Sequence, residues 1–429
     1  MASSSKLTDR RKFLSFLAAS PVLAYAGAAS ALVQELLAQP LVAQEMSLAP
    51  KDAVIIKSVK EALTVMDFDA AAREKLPLAH YTFVTDGSFY NETAKANRAG
   101  FTKYEIRLRR LPGIDKVDQS VRIFGVSWES PIFTCPVGRM NAFYPQGAVV
   151  VARADKATRT LQILAASQAI LTDPRGIEEV VAARGEPVWV AVTGPVLDRV
   201  VIKRLEATGC PTLVWTIDDN GANTIGAKSV QRAGVPGLKR EADSRCSGCH
   251  SSLPPVTRIA ASLPMDVIGA VGSLRGENNL KLSWDDVKRL RDMTRMKLVL
   301  KGIVAREDAA LAVEHGVDGI IVSNHGGHED ASGRGTIECL PEVLAGVGGR
   351  IPVLIDSGFR SGADAFKALA LGATAVGIGR PHIWGLSSFG QEGVETVIQI
   401  LRRELQVIMA QTGASSIDKI SRDSLVSRS

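Results

Sequence analysis

The sequence predicts an α/β protein built on a closed (β/α)8 TIM barrel, preceded by an N-terminal helical extension. Three observations carry this. Eight short apolar runs follow one another between residues 131 and 378, most of them separated by stretches with helical spacing. The later runs each end in polar or glycine-rich residues, the profile of buried parallel strands that open onto one rim. The 429 residues, 46% of them hydrophobic, are enough for one barrel of about 250 residues plus additions.

Composition excludes some partners. The 51 basic and 45 acidic side chains leave a mild excess of +6 with no basic tract, and aromatics are only 5%. Nucleic acid is therefore not expected as a ligand. The five cysteines are Cys135, Cys210, Cys246, Cys249 and Cys339. Only Cys246 and Cys249 are close in sequence, so no disulfide scaffold is expected.

Residues 1–45 read as an export signal. Arg10-Arg11-Lys12-Phe13-Leu14 is followed by no charge until Glu35, and small residues such as Ala24, Ala26, Ala28 and Ser30 lie near the end of the apolar stretch. Paired arginines before Phe-Leu resemble the twin-arginine signal, which predicts a periplasmic protein. The uncharged run is also long enough to span a bilayer, so an uncleaved inner-membrane anchor is the alternative. Pro21, Gly27 and the many alanines favour cleavage.

Residues 46–122 read as the helical extension. Residues 52–72 alternate apolar and charged positions at helical spacing, and Lys75-Leu76-Pro77 breaks the pattern. His80-Tyr81-Thr82-Phe83 runs into the turn signal Asp86-Gly87-Ser88, and 91–100 reads as another helix. The barrel is assigned to 123–425. Its strands are expected at 131–136, 160–165, 187–192, 212–217, 297–300, 319–322, 351–355 and 375–378, with helices at 148–157, 176–184, 197–208, 308–315 and 362–371. A long loop, 220–283, separates the fourth and fifth strands.

The strand ends carry the chemistry. After the sixth strand comes Ser323-Asn324-His325-Gly326-Gly327. An imidazole there is held by a rigid scaffold and titrates near neutrality, which suits a proton-abstracting base. A histidine that merely ends a strand is the plainer alternative. Asp356-Ser357-Gly358-Phe359-Arg360 and Gly377-Ile378-Gly379-Arg380 follow the seventh and eighth runs. Glycines admit backbone amides to an anion and arginines add paired donors, so a phosphate-bearing ligand is expected.

Lys75-Leu76-Pro77, Asn97-Arg98 with Phe101, Leu300-Lys301-Gly302, Ser323-Asn324-His325-Gly326, Asp356 to Arg360, the stretch FKALALGA at 366–373 and Gly377 to Pro381 run in one order. In these the chain resembles the flavin mononucleotide (FMN)-dependent 2-hydroxy-acid dehydrogenase and oxidase family, which includes glycolate and lactate oxidases. The resemblance implies FMN as cofactor. Lys301 would sit beside the flavin pyrimidine, and Thr216 and Ser323 would hydrogen-bond it. Pro136-Val137-Gly138 would lie against its reactive nitrogen. Asp356, Ser357, Gly358 and Arg360 would serve the flavin and phosphate edge, while Gly379 and Arg380 hold the phosphate. His325 would take a proton from the substrate as two electrons pass to the flavin, with Asp218 orienting the ring. A homotetramer is implied as well.

The chain departs from the family pattern where the substrate carboxylate is bound. The family arginine three residues after the histidine is His328 here, and its tyrosine after Lys-Leu-Pro is Phe83. The third strand lacks the usual glutamine and tyrosine, and 219–223 lacks the second substrate arginine. Either His328 or Arg334 binds the carboxylate, or the substrate is not a simple 2-hydroxy acid.

Cys246-Ser247-Gly248-Cys249-His250, in the long loop, has the spacing of covalent haem c attachment, with His250 as axial ligand. A disulfide, a zinc site and free thiols are the alternatives. The expected function is FMN-dependent oxidation of a small hydroxylated substrate, with electrons passing to oxygen or through a haem to a cytochrome chain. An FMN/haem c electron-transfer protein and a degenerate flavin-binding protein are the alternatives.

Overall fold

The computed structural model describes residues 54–166, 176–193, 199–219 and 281–427; the expected export signal and the Cys246–Cys249–His250 motif lie outside them. The eight apolar runs close on themselves. Strands β1 (Ile132–Thr134), β2 (Leu161–Ala165), β3 (Trp189–Thr193), β4 (Thr212–Thr216), β5 (Lys297–Ile303), β6 (Gly319–Val322), β7 (Val353–Ile355) and β8 (Ala375–Ile378) form a closed barrel, with β8 pairing back to β1. Each neighbouring pair is parallel.

Strand alternation sorts the side chains. Phe133, Leu161, Ile163, Trp189, Ala191, Val214, Val299, Ile321, Leu354 and Ala375 form one cluster drawn from all eight strands, the barrel interior. Ile123 and Trp128 join it from a hairpin, Val121–Ile123 with Val126–Trp128, which plugs the N-terminal end. The intervening residues, such as Leu213, Trp215, Leu298, Leu300 and Ile320, pack outward beneath the helices. The period of two then places the site. Two residues beyond Phe133, Val214, Val299, Ile321 and Leu354 come Cys135, Thr216, Lys301, Ser323 and Asp356. All five side chains therefore continue the inward stripe at the C-terminal mouth.

The helices are α1 (Val65–Lys75), α2 (Leu78–Thr85), α3 (Glu92–Ala99), α4 (Gly147–Ala157), α5 (Gly176–Arg184), α6 (Arg199–Ala207), α7 (Trp284–Met293), α8 (Arg306–Glu314), α9 (Thr336–Val347), α10 (Gly362–Leu371) and α11 (Arg380–Thr412). The extension starts its first α-helix later than the spacing predicts, because a Thr64–Asp67 capping box fixes the N-terminus. The residues around His80 continue as α2 from its N-cap, Pro77, since proline is preorganised for a helix start. Strand β5 runs past Leu300 because Lys301 pairs in register with Thr216, and a bulge follows before Ile303. Helix α9 was not expected, although Ile337, Leu340, Val343 and Val347 give it an apolar stripe. Helix α11 begins at the end of the last glycine loop and bends at Phe389 and Gly390. The C-terminal strand Leu425–Ser427 pairs antiparallel with Tyr104–Ile106 and ties the tail to the extension. Among the described residues no helix is long and apolar enough to cross a membrane.

Candidate active site

At the barrel mouth Asp356 is the hub. Its Oδ1 accepts hydrogen bonds from Ser323 Oγ at 2.7 Å and Ser357 Oγ at 2.8 Å. Its Oδ2 lies 3.8 Å from Lys301 Nζ and 3.8 Å from Cys135 Sγ. Lys301 and Asp356 side chains are only 3% and 5% exposed, so neither reaches bulk water. Burial alone would lower the lysine, but Asp218 and Asp356 outweigh it and hold the ammonium above its ordinary value. A fixed cation thus sits on the floor of the cleft. Burial and Asp356 push the Cys135 thiol well up, so it stays protonated.

His325 stands above this floor, part-exposed at 31%. Its backbone is in the left-handed region at φ 57°, unusual for a residue other than glycine. That conformation is held from both sides. His325 N donates to Ser323 Oγ at 3.1 Å, and Gly326 N donates to Ser357 Oγ at 2.9 Å. The ring's Nδ1 is 3.0 Å from Asp218 Oδ1. A carboxylate only accepts, so Nδ1 carries the proton and Nε2 presents its lone pair. Among the described residues Nε2 has no partner. Burial and Lys301 oppose protonation of His325, yet Asp218 outweighs them and raises its basicity. Burial likewise opposes ionisation of Asp218, but Lys301 and His325 keep it ionised below its usual range. Asp219, next in sequence, is raised by desolvation while His325 opposes the rise.

Two supports of this pair were not foreseen. Gly302 has φ +114°, and a Cβ built on it would lie 2.7 Å from Asp218 Cβ, so glycine lets β5 approach the carboxylate. Asn324 and Asn97 exchange two amide hydrogen bonds, each of 2.8 Å, across 227 residues of sequence. Asn97 Oδ1 also accepts from Thr336 N at 3.1 Å. Helix α3 of the extension therefore fixes the histidine loop. Arg98, beside it, ion-pairs with Asp364 at 2.7 Å and donates to Gly358 O, which fixes the Asp356–Arg360 loop as well.

The arginine loops converge next to the pair. Arg380 donates from Nε to Val84 O at 2.7 Å, from Nη1 to Gly326 O at 2.9 Å and from Nη2 to Thr85 O at 3.2 Å. Arg360 donates to Phe359 O at 2.8 Å and lies 4.7 Å from the Trp384 ring centre. Desolvation first, then mutual repulsion with Arg380 and Arg98, lowers Arg360 to about 9; desolvation lowers Arg380 to about 10. Guanidinium groups under that stress call for an anion. Gly379 is the N-cap of α11, and nothing stands within 4 Å of where its Cβ would be. Two arginines and an open helix N-terminus fit a phosphate group. Thr216 lies buried on β4 at the floor, and Pro136, Val137 and Gly138 line the rim after β1.

The residues expected to take a substrate carboxylate are less united. His328 lies near His325, with ring centres 6.4 Å apart, and its Nε2 accepts from Arg380 Nη2 at 3.3 Å. Burial, Arg380 and His325 hold it well below the usual histidine range, so it is neutral. The Arg334 guanidinium pairs with Glu342 on the α9 surface instead. Phe83 is 40% exposed at the end of α2 and stacks on Phe143 at 6.3 Å. Among the described residues no group of histidine, cysteine and carboxylate side chains could hold a metal ion.

A histidine–carboxylate pair beside a buried lysine, next to two arginines and an open helix N-terminus at the C-terminal mouth of a barrel, is the arrangement expected of a flavin-dependent oxidoreductase. The chain belongs to the FMN-dependent dehydrogenase family, whose sequence profile matches residues 72–427. It is 35% identical to the peroxisomal (S)-2-hydroxyacid oxidase GLO3 of Arabidopsis thaliana over 369 residues, 85% of this chain and 96% of that one. It is 33% identical to glycolate oxidase 1 of Oryza sativa subsp. indica, covering 84% and 95%. Among solved structures it superposes on the monotopic membrane protein (S)-mandelate dehydrogenase with a TM-score of 0.74 at 27% identity, covering 86% of this chain and 100% of that one. A lactate oxidase from Pediococcus acidilactici gives 0.70 at 28%, covering 86% and 96%.

Proposed function

We propose that this protein oxidises the hydroxyl-bearing carbon of a small 2-hydroxy acid or a related hydroxylated compound, with His325 as the proton-abstracting base. The observation that carries this is the His325–Asp218 hydrogen bond of 3.0 Å with Nε2 left open to the cleft. His325 takes the proton through Nε2, and the ionised Asp218 stabilises the imidazolium that results. FMN, when bound, accepts the two electrons. Arg360, Arg380 and Gly379 would hold its phosphate. Thr216, Ser323, Lys301, Asp356, Ser357, Gly358 and the 136–138 backbone would hold the ring, with Lys301 countering negative charge that builds beside it. The test is anaerobic mixing with candidate 2-hydroxy acids while the flavin absorbance is followed. His325→Ala should keep the flavin spectrum and lose bleaching by substrate; undiminished bleaching would refute the base, and a protein that never binds flavin would refute the whole reading.

The route of the electrons onward is part of the same proposal. A twin-arginine signal would deliver the enzyme to the periplasm. A haem c on Cys246, Cys249 and His250 would pass single electrons to a cytochrome, with oxygen as the alternative acceptor. Support for this comes from the sequence pattern alone. A haem absorbance band that survives denaturation tests it, and its absence from exported protein would remove the haem. Sedimentation of the holoenzyme tests the expected homotetramer.

A further inference from the structure

A 2-hydroxy acid brings a carboxylate into the cleft, and a carboxylate leaving water needs a cation or several donors. The cations near His325 are engaged. Lys301 faces Asp356 and Asp218 on the floor. Arg380 is spread over four backbone carbonyls and His328, and Arg360 lies on Trp384. Arg98 pairs with Asp364, Arg334 with Glu342, and His328 is neutral. Arg139 differs from all of these. It directly follows Pro136-Val137-Gly138 at the C-terminal end of β1, on the same face of the barrel as His325. Among the described residues its guanidinium has neither an ion pair nor a hydrogen bond. It lies over the exposed ring of Phe83, with the guanidinium carbon 5.6 Å from the ring centre.

Phe83 connects Arg139 to the catalytic loop. The next residue, Val84, accepts from Arg380, and Arg380 donates to Gly326, the residue after His325. Phe83 is itself backed by Phe143, so the aromatic platform is fixed. An arginine laid on an aromatic face keeps its in-plane N–H donors free for a planar partner.

We infer that Arg139 is the substrate-binding cation of this site: it receives the carboxylate of a 2-hydroxy acid from the β1 rim, in place of a cation on the histidine loop. This rests on the 2-hydroxy-acid reading above and extends it to the residue that sets substrate class. The guanidinium fork, steadied by the Phe83–Phe143 stack, donates to the carboxylate while the hydroxyl-bearing carbon faces Nε2 of His325.

The test uses FMN-loaded protein and oxalate, a dicarboxylate that the flavin cannot oxidise, read by perturbation of the flavin spectrum. Arg139→Met should weaken oxalate about 10- to 100-fold, the effect of losing a charge-assisted pair. FMN affinity and reduction by dithionite should not change, and Arg139→Lys should recover part of the loss. Equal oxalate affinity in wild type and Arg139→Met would overturn the inference, as would a wild type that binds no oxalate. If oxalate binding depends on Arg139 but no 2-hydroxy acid bleaches the flavin, Arg139 stands as the carboxylate-binding cation and the 2-hydroxy-acid reading fails.

Discussion

Replacing Gly302 by alanine should disable the base without emptying the cofactor site. The alanine Cβ would fall 2.7 Å from Asp218 Cβ, 2.8 Å from its Cγ and 3.1 Å from its N. The first contact is roughly 0.7 Å short of ordinary van der Waals separation, so Asp218 must retreat. The φ of +114° is strained for alanine, so β5 cannot easily yield instead. A retreat of that size takes the His325–Asp218 contact from 3.0 Å past hydrogen-bonding distance. A hydrogen bond to a charged group contributes about 1.5–3 kcal/mol, so the rate of flavin reduction by substrate should fall about 10- to 100-fold. The pH dependence gives a second signature. Asp218 is what raises His325, and on the proposed mechanism the active form is the neutral imidazole, so wild-type activity should rise with pH through a raised pKa. Without Asp218 in contact that rising limb moves to lower pH. Anaerobic stopped-flow bleaching across pH 5–9, on protein with its flavin in place, measures both effects. Asp218→Asn should reproduce the shift with no backbone strain. A Gly302→Ala enzyme with unchanged rate and unchanged pH limb would refute the role of Asp218.

Three further outcomes follow from the geometry. Asn97→Ala strands the Asn324 amide and Thr336 N in a buried site and should cost roughly 1–3 kcal/mol of stability, read by chemical denaturation. Arg360→Met should weaken FMN at least about tenfold in titrations of apoprotein while leaving the His325 pH limb in place. Asp155 is buried between β1 and α4, where Thr134 donates to it at 2.7 Å, and burial raises it from 3.8 to about 7. The folded state thus keeps this proton while the unfolded chain loses it, so its contribution is full below about pH 4 and is lost as pH rises towards 7. Asp155→Asn should therefore raise the melting temperature at pH 8 relative to wild type but not at pH 4; equal gains at both would contradict a raised pKa.

Much of the barrel was legible because its strands are short, apolar and punctuated. The alternation that buries Val299 and Ile321 is the same one that turns Lys301 and Ser323 inward, so the floor could be read once the strands were placed. Helix α9 is not legible in the sequence, since Gly333, Gly335 and Pro341 break its pattern locally while packing against the barrel restores it. The Asn97–Asn324 pair is hidden in the sequence because its partners are far apart in the chain and each, alone, is an ordinary polar residue. Gly302 was visible beside Lys301, but its purpose depends on Asp218 arriving from another strand. The substitution at 328 was visible as a departure, yet its neutrality comes from burial and from Arg380, both of which only the fold supplies.

Arg380 has a consequence that reaches beyond anion binding. One guanidinium links α2, through Val84 and Thr85, to the histidine loop, through Gly326, and it does so at the first residue of α11. Three segments distant in the chain therefore share a single crossbar. A ligand anion that steadied this crossbar would also steady the histidine loop, and by reciprocity a substitution that uncouples the 325–328 loop from Arg380 would weaken the anion by up to the same factor. Loading and readiness for chemistry would then be two readings of one equilibrium, so a preparation's cofactor content would report how well its catalytic loop is set.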